Sequence, residues 1–149
     1  MTAYLYFHIK EIKGGITLYK VFCRTYQRTF KLASKFMPYR NPRLIEGENS
    51  LVQLPAVIKE YGVQNVLIVT DQGITALGLM QPLLEELNAQ QIDYVVYDQT
   101  VPNPTITNIE EALALYKDNR CQGIVAFGGG SPMDCAKGVA ARVARPNKM

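Results

Sequence analysis

The sequence predicts an α/β fold: a parallel sheet flanked by helices and preceded by a basic amphipathic helix. Three observations predict it. Helical and strand patterns alternate from residue 51 to residue 144. Three short apolar runs read as strands: residues 66–70, 92–97 and 123–127. The first of these, Val66-Leu67-Ile68-Val69-Thr70, has no polar alternation, as expected of a strand covered on both faces. A glycine triplet, Gly128-Gly129-Gly130, joins the last strand to a helical pattern over residues 134–144.

Composition bounds the answer. A chain of 149 residues has one-domain length, and 48% apolar residues with nine tyrosines can fill a core. The net charge of +3 is unevenly spread. Residues 1–40 hold eight Lys or Arg against Glu11 alone, whereas residues 41–149 hold eight bases and twelve acids. The main domain therefore has no basic patch with interleaved aromatics, and no nucleic-acid partner is expected. Cys23, Cys121 and Cys135 lack C-x-x-C spacing, so free thiols in a reducing cytoplasm are expected rather than disulfides or zinc. No apolar run reaches transmembrane length, and no secretory signal is recognisable.

Residues 1–40 read as a basic arm and residues 41–149 as the main domain. Residues 2–9 are apolar and aromatic, a strand or the start of a helix, and Gly14-Gly15 interrupts them. His8, the sole histidine, stands outside any cluster and reads as structural or exposed. From Ile16 onward, Leu18, Tyr19, Phe22, Tyr26, Phe30, Ala33 and Met37 recur at steps of three and four, which predicts one helical face. Lys20, Arg24, Arg28, Lys31 and Lys35 fall largely on other faces. Packing on its own domain or on a second subunit is the favoured reading. Contact with a membrane surface is the second reading and a disordered arm the third. Residues 38–42, with a proline at each end, read as an extended linker.

In the main domain, residues 43–47 are expected as a short strand. Asn49 or Ser50 would cap a helix over residues 51–61, burying Leu51, Leu54, Val57, Ile58 and Tyr61, with Gly62 as its stop. Asp71 follows the first strand at its carboxyl end, the edge where open α/β sheets bind ligands. A cap or turn hydrogen bond would explain Asp71 equally well. A helix over residues 74–90 would bury Leu77, Leu79, Met80, Leu83, Leu84 and Leu87, with Pro82 kinking or restarting it. Residues 98–105 form an extended loop holding Asn103 between two prolines. Thr107 or Asn108 would cap a helix over residues 109–119, with Leu113, Leu115 and Tyr116 inward.

The glycine triplet removes every side chain where strand meets helix, so a diphosphate could approach the backbone. Ser131 could cap the helix, Pro132 suits its first turn, and the free N–H groups there favour an anion. The triplet matches neither the P-loop nor G-x-G-x-x-G. A plain structural turn remains open on these residues alone. Asp134 and Lys137, one helical turn apart, can pair.

The run Gly128-Gly129-Gly130-Ser131-Pro132-Met133-Asp134-Cys135-Ala136-Lys137 resembles the signature of the iron-containing (group III) alcohol dehydrogenases. Three further stretches agree in order and spacing: residues 67–73, residues 78–82, and Val101-Pro102-Asn103-Pro104-Thr105. The resemblance runs from about residue 42 to the C-terminus. It implies a Rossmann-like dinucleotide-binding domain followed by an all-helical metal domain, which is absent here, so the chain reads as C-terminally truncated. It implies that Gly129, Gly130 and Ser131 meet the diphosphate and that Asp71 meets the adenosine ribose. Gly128, Asn103 and Asp134 are second choices, and Lys137 lies near the phosphates or sheet edge. An acid at the ribose repels a 2′-phosphate, so NAD is expected over NADP.

The family reaction is reversible hydride transfer between a nicotinamide and a small alcohol, aldehyde or ketone. Iron or zinc assists, held by one aspartate and three histidines of the helical domain. No such cluster is visible in this sequence, so no catalytic or metal residue is named, and the chain is expected to be inactive by itself. The alternative expectation is a stand-alone nucleotide- or phosphate-binding module without catalysis. The resemblance also implies a homodimer.

Overall fold

The computed structural model describes residues 15–36 and 42–146, with side chains from residue 19 onward. The readings of residues 2–9, His8 and Met37, and most of the linker, lie outside the described residues. The chain divides into two units, Met1–Arg43 and Leu44–Met149.

The second unit is built on one strand. β1 (Asn65–Val69) lies between β2 (Asp93–Tyr97) and β3 (Gly123–Ala126), and all pairings are parallel. Its β-branched and leucine side chains point alternately to two covered faces. Leu67 and Val69 pack with Ala112, Leu113, Cys135 and Val139, under α5 (Ile106–Asp118) and α6 (Gly130–Ala144). Val66 and Ile68 pack with Ile58, Met80, Leu83 and Leu87, under α2 (Leu54–Glu60) and α4 (Gln81–Ala89). Leu67, Ile68 and Val69 are wholly buried. Each such side chain contributes about 1.5–3 kcal/mol. The uninterrupted apolar run is thus the mark of a strand with no wet face, as the sequence implied.

Several local expectations are corrected. Residues 43–47 form no strand, because no described strand pairs with them. The expected helix over residues 51–61 divides into a 3-10 turn, Ser50–Gln53, and α2. Pro55 is the reason: it lacks an N–H and its ring would clash with the carbonyl four residues back, so the α-helix starts beside it. Tyr61 is exposed rather than inward. Residues 72–89 form α3 (Gln72–Ala76) and α4, separated at Gly78, whose φ is +64°. Pro82 therefore restarts the helix. Leu77 and Leu79, in the break, are 73% and 50% exposed instead of buried. α5 begins three residues early. Thr105, not Thr107 or Asn108, is its cap, and Asn108 completes a reciprocal capping box.

In the first unit, α1 (Gly15–Ser34) forms as its spacing predicts. Tyr19, Phe22, Tyr26 and Phe30 are exposed, and Tyr26 stacks on Phe30 with ring centroids 6.2 Å apart.

Candidate functional site

The carboxyl ends of the three parallel strands carry the residues of interest. Beyond β3 the chain reaches Gly128, whose φ of +133° suits only glycine. A Cβ there would lie 3.1 Å from Pro132 Cγ and 3.6 Å from Asp71 Oδ2. Gly128 is therefore required by the chain's own packing. Gly129 and Gly130 are different. Gly129 has extended backbone (φ −83°, ψ −156°), Gly130 is helical, and a Cβ on either would meet nothing within 4 Å. Neither is required by conformation or by contact inside the chain. Their bare backbone borders open space.

α6 starts at Gly130 with Gly129 as its cap, and no side chain caps it. The expected Ser131 cap is thus corrected: Ser131 sits one residue inside the helix and caps nothing. With Pro132 lacking an N–H, the backbone donors of Gly129, Gly130 and Ser131 remain at the positive end of a 15-residue helix.

Beside this turn lies a cleft of about 460 Å³ lined by Asp71, Gln72, Gly73, Asp98, Gln99, Thr100, Val101, Pro102 and Ser131. Asp71 caps α3: its Oδ1 accepts from the Ile74 N–H at 3.0 Å. The capping role foreseen for it is present, and the same carboxylate lines the cleft. The wall opposite is the segment after β2. Asn108 holds it, donating from Nδ2 to the Gln99 carbonyl and to the Tyr97 hydroxyl, both at 3.0 Å. Gln72 Nε2 donates to Gln99 Oε1 at 2.9 Å, and Gln99 Nε2 donates to Asp98 Oδ1 at 2.6 Å. Thr100 Oγ1 is buried in this wall with no hydrogen-bond partner, and so is Thr70 Oγ1 at the end of β1. An unpaired buried hydroxyl costs about 1–3 kcal/mol unless a ligand or water supplies the missing bond.

Burial, reinforced by donation to Glu111 Oε2 at 2.7 Å, pushes the Tyr97 hydroxyl up to about 12. Burial also raises the thiols of Cys121 and Cys135, so both stay protonated at neutral pH. Thr100 lies near the Cys135 thiol and opposes part of that rise, although the two do not meet hydrogen-bond geometry.

Of the residues singled out from sequence, Asp71 and Ser131 line one cleft and Gly128, Gly129 and Gly130 adjoin it. Asn103 (φ +57°) is exposed and outside the lining. Asp134 is also outside it, paired in solvent with Lys137 at 3.2 Å. Sequence reasoning placed Gln72 and Gly73 beside the ribose and missed Asp98, Gln99 and Thr100. The signal existed, since Asp98 follows β2 as Asp71 follows β1.

A dinucleotide fits these residues: the bare turn, the helix end and the orphaned Thr100 hydroxyl all await polar partners. Among the described residues no three His, Cys, Asp or Glu side chains cluster as ligands. Nor is any helix among them long and apolar enough to cross a membrane.

A sequence model described as iron-containing alcohol dehydrogenase matches residues 41–149. The chain belongs to that family. It is 42% identical over 94 residues to alcohol dehydrogenase 4 of Schizosaccharomyces pombe, covering 63% of this chain and 22% of that protein. It is 36% identical over 106 residues to choline dehydrogenase of Bacillus subtilis, covering 70% and 26%. Among solved structures, the iron-containing alcohol dehydrogenase of Thermococcus thioreducens superposes with TM-score 0.69 at 26% identity, over 76% of this chain and 29% of that one. NADH-dependent butanol dehydrogenase A of Thermotoga maritima gives 0.66 at 28% identity, over 72% and 27%. The chain thus spans about a quarter of the length of the relatives it matches. The Rossmann-like α/β fold expected from the motifs is the one observed.

Proposed function

We propose that this chain is the dinucleotide-holding part of an NAD-dependent, metal-dependent alcohol dehydrogenase. One observation carries the reading: Gly129 and Gly130 are bare for no reason internal to the chain, at a helix N-terminus beside an acid-lined cleft. The backbone N–H groups of Gly129, Gly130 and Ser131 receive the diphosphate, and the helix end favours its charge. Gly128 brings the turn close over Pro132. Asp71 accepts from the adenosine ribose hydroxyls and repels a 2′-phosphate, so NAD is preferred to NADP. Asn103 and Asp134 stand as weaker contacts, reached only by a cofactor that extends beyond the cleft.

When bound, the nicotinamide supplies or takes the hydride exchanged with a small alcohol or aldehyde. This chain's residues bind and orient the cofactor, and no metal-assisted step is assigned to them. By itself the chain binds without turnover. The exposed apolar face of α1 serves as a pairing surface between two copies.

The test is titration of NADH, followed by its own fluorescence, into the wild-type chain and the Gly129→Val variant. Saturable binding by wild type that weakens by about a hundredfold in the variant is expected, since a side chain bars the diphosphate from the amides. Equal affinity in both chains would remove the site.

A further inference from the structure

Asp71 is not the sole acid at the cleft. Asp98 follows β2 directly and is among the residues lining the same space; it also borders a second hollow, beside α5, with Glu111 and Asp118. The backbone brings the two segments together: Asp71 and Gln99 form an isolated antiparallel bridge, and the Thr70 N–H donates to the Tyr97 carbonyl at 2.8 Å. A two-amide relay then holds Asp98 in place. Gln72, in the first turn of α3, donates to Gln99, and Gln99 donates to Asp98 Oδ1 at 2.6 Å. The relay takes one carboxylate oxygen of Asp98. The other takes no hydrogen bond from the described residues. Asp71 is similar, with Oδ1 committed to the Ile74 N–H. Each strand end thus carries one carboxylate, fixed through one of its oxygens, on a residue that lines the cleft.

Resting on the cofactor reading above, we infer that Asp98 is a second specificity residue, sharing with Asp71 the discrimination between NAD and NADP. The charges decide this. A 2′-phosphate carries nearly two negative charges, and each carboxylate repels it. A ribose hydroxyl, in contrast, donates to either acid. Neutralising Asp71 alone leaves the second carboxylate in the cleft, so the preference for NAD is reduced rather than reversed. Gln72 and Gln99 act as positioning residues for Asp98.

The experiment is calorimetric titration of NAD and of NADP into wild type, Asp71→Asn, Asp98→Asn and the double variant. Asparagine retains the hydrogen-bond acceptor needed to cap α3 and to meet Gln99, so charge is what changes. The ratio of NADP to NAD affinity is expected to rise about tenfold in each single variant and about a hundredfold in the double variant. Asp98→Glu restores the wild-type ratio, and added salt narrows the wild-type preference. A purely structural Asp98 would weaken both cofactors equally and leave the ratio unchanged, which overturns the inference while the cofactor reading stands. Wild type binding neither dinucleotide overturns both. A ratio that moves in Asp71→Asn and is unmoved in Asp98→Asn assigns discrimination to Asp71 alone.

Discussion

The two edges of the sheet carry hollows of nearly equal size. The carboxyl-edge cleft measures about 460 Å³, and the amino-edge hollow, lined by Lys59, Gly62, Val63, Gln64, Gln90, Gln91, Ile92 and Asp93, about 480 Å³. Size does not separate them. Unmet bonding does. Near the amino edge the chain bonds within itself: the Asp93 N–H donates to the Gln64 carbonyl at 2.9 Å, the Gln64 N–H to Gln122 Oε1 at 2.8 Å, and Asn65 Nδ2 to the Asn119 carbonyl at 2.6 Å. At the carboxyl edge the Thr70 and Thr100 hydroxyls have no partner, and the α6 amides open onto a turn stripped of side chains. The amino edge bonds within the chain, whereas the carboxyl edge leaves buried hydroxyls without partners.

Two glycines of one helix region make that contrast sharp. A Cβ on Gly129 meets nothing within 4 Å, whereas a Cβ on Gly138 would lie 2.6 Å from Ile109 Cδ1 and 2.9 Å from its Cγ1. The same substitution should therefore give opposite phenotypes. Gly129→Val is expected to lower NAD affinity by about a hundredfold, with only the small stability cost, about 1 kcal/mol, of a poorer helix cap. Gly138→Val is expected to cost about 1–3 kcal/mol by overpacking α6 on α5, with NAD affinity unchanged. Calorimetric titration beside thermal melts measures both.

A smaller effect comes from the amino-edge seam. Asn65→Ala removes the bond to the Asn119 carbonyl and should cost about 1–2 kcal/mol in chemical denaturation, with no change in NAD affinity. Loss of NAD binding in that variant would blur the distinction between the edges.

The Tyr97 hydroxyl ties the carboxyl-edge wall to α5 through Asn108 and Glu111. Its folded pKa of about 12 stands above the ordinary 10.0. The unfolded chain therefore loses this proton first, and stability present below pH 10 falls as pH rises toward 12, by about 2–3 kcal/mol. Tyr97→Phe should flatten that part of the profile, as urea melts across the range will show. The smallest readout is thiol reactivity. Cys121 and Cys135 are buried with raised pKa values, and Cys23 is half-buried, so one thiol should react quickly with a disulfide reagent in the native chain and three after unfolding.

The architecture was legible because β1 announces itself: an unbroken apolar run has one structural meaning when helical patterns flank it. Boundaries were less legible where backbone chemistry overrides periodicity. Leu77 and Leu79 keep helical spacing with Leu83, but Gly78 and Pro82 break the helix there, so both leucines turn outward. Pro55 does the same at α2. The site was half legible. Asp71, Ser131 and the glycines came from motifs. Asp98 and Thr100 did not, because their place in the cleft depends on Gln99 bridging to Asp71 across 28 residues of chain. Such long-range pairing leaves no local trace.

The most direct measurement is a ¹H–¹⁵N correlation spectrum of the labelled chain during titration with NAD. Saturable shifts are expected at Gly128, Gly129, Gly130, Ser131, Asp71 and Thr100, with Gln64 and Asp93 unmoved. Shifts confined to the amino-edge residues, or a spectrum indifferent to NAD, would contradict it.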